Sequence, residues 1–169
     1  MSLLSRLLTP REPPMVALWR RITALARTPD LYARHGIPDT VDGRFDMVAL
    51  VTSLVMLRFE AAGATREGVI LTERFVDDMD ASVRELGIGD MVVGKHVGNM
   101  IGALGGRLGA YRAALASPEP RAALARALAR NLFRGRGIGD PEAVADWALE
   151  LRARLDGLAI AELVEGRGL

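Results

Sequence analysis

The stretch ERFVDDMDASVRELGIGDMVVGKHVGNMIGALGGRLGAY, Glu73 to Tyr111, divides into three parts: an acidic helix, a Gly87-Ile88-Gly89-Asp90 hinge and a second helix with a row of glycines. Gly94, Gly98, Gly102, Gly105, Gly106 and Gly109 all fall within an arc of about 120° when drawn at about 100° per residue. Each glycine costs roughly 0.8–1 kcal/mol against alanine in a helix interior, so the row forfeits several kcal/mol. Close approach of another backbone is the usual offset. Beside the bare arc lies an apolar one of Val93, Val97, Met100, Ile101, Leu104, Leu108, Tyr111 and Leu115. His96, Asn99 and Arg107 fall on the wetter side, and Lys95 near the glycines. A helix with two such faces can pack against two elements at once, which places it at the centre of a bundle. Alternatively, the glycine face is a groove that receives a partner's helix.

Outward from this stretch the periodicity is helical and no segment alternates with period two long enough to form a strand. Pro13-Pro14 opens a helix to Arg27, broken by Thr28-Pro29-Asp30. Leu31 to His35 forms one short turn, closed by Gly36 and Pro38. Thr40 or Asp42 caps a helix to about Glu60 that is apolar nearly all round. Thr65 caps the acidic helix, which ends at Gly87, and Asp90 caps the glycine-faced one, which ends near Ser117-Pro118. Glu119 to Phe133 follows, closed by the glycine-rich loop 135–139. Asp140 with Pro141 opens a helix to Leu155, and Ile160 to Glu165 forms a short last one. The expected fold is all-α: one bundle-like domain of about six to eight helices over residues 13–169, preceded by a flexible segment 1–12.

Composition narrows the function. Half of the 169 residues are apolar and a quarter are charged, the profile of a soluble globular domain. The longest uncharged run, Met47 to Leu57, is too short to span a bilayer. The chain has no cysteine, which excludes disulfides and thiol chemistry, and its two histidines, His35 and His96, are isolated. Leu3, Leu4, Leu7 and Leu8 share one face of a short N-terminal helix that lacks the form of a secretory signal. That points to the cytoplasm, with peripheral contact at the inner face of the membrane as an option.

Candidate chemistry is sparse. Glu73, Asp77 and Asp80 stack on one face, but no Glu-x-x-His accompanies them, so a di-metal carboxylate site is not supported. Gly-Ile-Gly at 87–89 and at 137–139 lacks the rest of a phosphate loop. Neither histidine sits where a nucleophile–base–acid triad would need it. No cofactor, metal or catalytic set is expected. Net charge is +1 but uneven: residues 45–90 hold nine carboxylates against four arginines, whereas Arg121 to Arg136 is wholly basic. Arg126, Arg130 and Arg134 recur at i, i+4 on one helix face. They either pair with the acidic segments or meet phosphates, making a phosphate-, RNA- or lipid-head-group-binding module the alternative function.

Three stretches carry a family resemblance: LYARHGIPDTVDGRFDMVAL, FVDDMDASVRELGIGDMVVGKHVGNM and GGRLGAYRAAL. Together they resemble the ubiquinol–cytochrome c chaperones, assembly factors of the cytochrome bc1 complex, over about Leu31 to Leu115. Val51 departs from the histidine found in many relatives. The resemblance implies a non-catalytic chaperone that engages newly made cytochrome b, or another bc1 subunit, before haem insertion. It also implies a small helical partner protein, contact with ribosomes and no DNA. The shorter N-terminal region suggests a bacterial member made in the compartment where it works. Residues carried over as candidate partner contacts are Asp80, Arg84, Glu85, Gly89, Asp90, Lys95, Arg107 and Tyr111.

Overall fold

The computed structural model describes residues 15–85, 87, 90–135 and 138–169, with the side chains of Asp90 and Met91 left out. The expected flexible segment 1–12 and Gly89 lie outside the described residues. Helices follow one another as α1 (Val16–Ala26), α2 (Pro29–His35), α3 (Val41–Ala61), α4 (Thr65–Glu85), α5 (Asp90–Leu115), α6 (Pro120–Asn131), α7 (Pro141–Asp156) and α8 (Ile160–Val164). Among the described residues there is no strand. The architecture is all-α.

Local chemistry sets the helix ends. Thr40 Oγ1 accepts the Gly43 N–H at 3.1 Å, and Asp140 Oδ1 accepts the Ala143 N–H at 2.9 Å with Pro141 at the first helical position. At the far end of α7, Arg58 of α3 donates to the Leu155 and Leu158 carbonyls, both at 2.9 Å, satisfying acceptors that the helix itself leaves open.

The centre of the bundle is α3. Met47, Val48, Ala49, Leu50, Val51, Leu54 and Val55 are all buried, so apolar side chains leave this helix in nearly every direction. A helix of that kind must be surrounded, and α3 packs against α1, α4, α5 and α7. This corrects the expectation that the glycine-faced helix is central. Helix α5 packs on α3, α4 and α6 through Val93, Val97, Leu104, Tyr111 and Ala114. Its glycines have no side chain with which to fill space, so that face adds nothing to the core.

Close packing of glycines occurs elsewhere, in the loops. Gly36 lies after α2 with φ +63°, and Gly139 lies before α7 with φ +78°. A Cβ on Gly36 would stand 2.7 Å from Gly139 Cα, and one on Gly139 would strike the Phe133 ring. The Asp140 N–H donates to the His35 carbonyl at 2.8 Å across the same junction. Both left-handed backbone and absence of a side chain are required here. The second Gly-Ile-Gly therefore has a structural use at Gly139. At the other end of the molecule Gly166, φ +70°, lies against the Ala17 carbonyl at the end of a would-be Cβ 2.8 Å away.

Candidate functional site

Two features of α5 organise the functional surface, one inside the protein and one outside. Inside, Asp46 of α3 is fully buried, and the Arg107 guanidinium donates to it at 2.5 Å. Arg107 is itself only 13% exposed; it also donates to the Ala103 carbonyl and stands 5.4 Å over the Phe45 ring. Arg134, after α6, reaches the second Asp46 oxygen at 3.4 Å and Asp42 at 3.1 Å. Burial pushes the Asp46 carboxyl above its usual range, against the pull of Arg107 and Arg134. One carboxylate thus ties α3, α5 and the end of α6 together. Tyr111, one turn along α5 from Arg107, is also fully buried, and burial raises its phenol well above the ordinary value.

Outside, the glycine face is open. A Cβ added at Gly94, Gly98, Gly102, Gly105, Gly106 or Gly109 would meet nothing within 4 Å. The expectation that a neighbouring backbone of the domain covers Gly98, Gly102 and Gly105 is thereby corrected. Among the described residues nothing packs on this row to offset its loss of helix propensity.

On the α5 wheel Arg112 stands at the edge of the glycine arc, and it pairs with Glu60 at 2.7 Å, at the end of α3 near where α4 begins. At that junction Met56, Phe59, Glu60, Ala64, Thr65, Gly68, Val69 and Thr72 line a groove of about 250 Å³. A second of about 320 Å³, lined by Val69, Thr72, Glu73, Val76 and Asp77, continues it along α4. They share Val69 and Thr72 and form one trough. Its walls include Val69, 54% exposed, while Ile101 of α5 is 39% exposed. Exposed apolar side chains along a trough, and a bare helix face, are each features that a docking surface for another helix uses.

Of the candidate contacts, Lys95 and Glu85 are exposed, Asp80 and Arg84 pair with each other at 2.7 Å, and Asp90 opens α5. Arg107 and Tyr111 are not on the surface. The wet-side placement of Arg107 is corrected by its ion pair with Asp46, because a buried carboxylate draws in a counter-charge that a helical wheel does not reveal. The basic face also divides. Arg121 pairs with Asp146 and Glu142, and Arg134 with Asp42 and Asp46, whereas Arg126 and Arg130 are exposed and without an ion pair among the described residues. They border an alanine-lined groove between α5 and α6. Glu73 is exposed and Asp77 pairs with Arg74; among the described residues Glu73 has no ion pair and no acidic or histidine cluster is arranged to hold a metal. A larger cleft, about 540 Å³, lies against α2, and its facing charges Asp39 and Arg44 neutralise each other at 2.6 Å.

Asp46 and the trough were not legible from the sequence. The available signals were one carboxylate set into the otherwise apolar α3 and the Val69–Thr72–Val76 spacing on an otherwise acidic helix.

Comparison with known proteins bears on what this surface serves. A family model described as "Ubiquinol-cytochrome C chaperone" matches residues 33–168. The chain is also similar to the crystal structure of the Cbp3 homolog from Brucella abortus, with 32% identity and a TM-score of 0.77 over 90% of this chain and 85% of that one. No curated protein matches it significantly.

Proposed function

The chain belongs to the ubiquinol–cytochrome c chaperone family, and from that premise we propose that it is a non-catalytic assembly chaperone of the cytochrome bc1 complex that holds newly made cytochrome b. The observation that supports this reading is the open glycine face of α5 together with the apolar trough of α3 and α4. An unassembled membrane protein exposes apolar helices, and a helix receives another helix best where its own backbone can be approached closely. No helix among the described residues is long and apolar enough to cross a membrane.

Lys95 stands on the glycine side of α5 and is exposed, so it contacts the client without supporting the fold. The site of action is the cytoplasm or the inner membrane face. The test is co-purification of tagged protein with cytochrome b in cells, for wild type and for Lys95→Glu, beside the bc1 level of a deletion strain. Recovery of cytochrome b by wild type, its loss with Lys95→Glu and a depleted bc1 complex are expected. Normal bc1 levels in the deletion strain would overturn the reading.

The alternative, binding of phosphate or lipid head groups, rests on Arg126 and Arg130, since Arg134 is engaged with Asp42 and Asp46. Such binding would fall steeply with salt, whereas capture of an apolar helix would persist.

A further inference from the structure

We infer that the trough along α4 selects a helix of about three turns whose apolar face is flanked by lysine or arginine; this rests on the client-holding reading above and names the feature of the client that is read. From Thr65 to Asp77 the trough runs for about 18 Å at helical rise, which accommodates such a length. Its floor is apolar, formed by Met56, Ala64, Val69 and Val76. The charge along its bank is acidic: Glu73 is exposed and Asp77 is exposed, and among the described residues Glu73 has no ion pair and Asp77 has Arg74 alone. Glu60, at the other end, is already engaged by Arg112. An apolar helix that is cationic where it passes Glu73 and Asp77 satisfies floor and bank together, and Lys95 of α5, which lines neither groove, meets a different part of the client. A helix with an anionic flank would set like charges beside Glu73 and Asp77.

Membrane helices carry this pairing of features where they face the cytoplasm, because lysine and arginine collect at that end. The trough would thus read the apolar segment and its basic end at once, and would reject apolar helices with acidic ends. Such discrimination uses repulsion as well as attraction.

The experiment uses the full chain and two synthetic helical peptides with the same Leu/Ala face, one flanked by lysines and the other by glutamates. Affinities are read by fluorescence anisotropy at low and high salt for wild type, Glu73→Lys/Asp77→Lys and Val69→Glu; all three altered positions are exposed, and circular dichroism checks the fold. Wild type should prefer the lysine peptide, and the double variant should bind it about tenfold more weakly while gaining affinity for the glutamate peptide. Val69→Glu should weaken both. Equal binding of the two peptides to wild type, no binding of either, or lysine-peptide binding unaffected by the double variant or by Val69→Glu would each overturn the inference. Those outcomes leave the bc1 level of the deletion strain unaffected, so failure here is distinct from failure of the chaperone reading.

Discussion

Arg107 of α5 donates to Asp46 of α3 inside the protein, and neither side chain has appreciable access to solvent. Asp46 exchanged its hydration for this arrangement, so its stability depends on the partner staying in place. Arg107→Met should lower the unfolding free energy by about 3 kcal/mol, because it leaves the buried carboxylate with only the longer contact to Arg134. The pair Asp46→Leu with Arg107→Met should recover most of that loss. Urea denaturation followed by circular dichroism measures both, and additive losses would show that the two residues are not coupled.

Glycine substitutions should divide by location. Gly98→Ala and Gly102→Ala place a methyl in open space, so each should stabilise by roughly 0.5–1 kcal/mol through helix propensity. Gly139→Ala should do the reverse, since φ +78° and the Phe133 ring both oppose a side chain. Melting temperatures decide the signs. Gly102→Leu should also fold normally, and under the proposed client-holding function it should reduce recovery of cytochrome b by filling the open face.

Acid titration should move two groups of carboxyls in opposite directions. Asp46 is held above the ordinary aspartate value, chiefly by burial. A raised folded value means that its contribution is complete below the unfolded value and is lost as pH rises through the folded one. Asp146 and Asp39 lie below that ordinary value, held there by hydrogen bonds from Arg121 and Arg44. Their contribution is present above the unfolded value and disappears as pH falls through the folded one. Carbon-detected NMR of the side-chain carboxyls should place the Asp46 midpoint above those of Asp39 and Asp146. Asp146→Asn should flatten the acid limb of the stability curve.

Within the basic segment, the helix face predicted from spacing should split by experiment. Arg126→Glu with Arg130→Glu should leave stability within about 0.5 kcal/mol, as is usual for exposed positions without partners. Arg134→Ala should cost more, having removed contacts to both Asp42 and Asp46. Equilibrium unfolding distinguishes them. Flotation with anionic vesicles tests the head-group alternative: unchanged flotation of the Arg126/Arg130 variant would remove its support.

Helical periodicity carried the order of elements because each helix keeps one apolar face over several turns; the spacing of Leu71, Phe75, Met79 and Val83 on α4 is one example. Caps at Thr40 and Asp140 were legible for the same reason, being local. What lay beyond reach depends on residues distant in sequence. Arg107 looks exposed on its own helix, and only the position of Asp46 makes it internal. The glycine row was visible, but whether a neighbour covers it depends on where α4 and α6 run. Gly36 and Gly139 show the converse: neither stands out in a loop until the two loops meet.

That meeting of loops also sets an order of events during synthesis. The His35 carbonyl cannot accept its hydrogen bond until Asp140 has left the ribosome, and Gly166 cannot reach Ala17 until later still. Chains emerge amino-terminal end first, so these two junctions close only near the end of translation. The last residues to be made thus close the seams around helices made first, although α1 already has α3 and α4 to pack on.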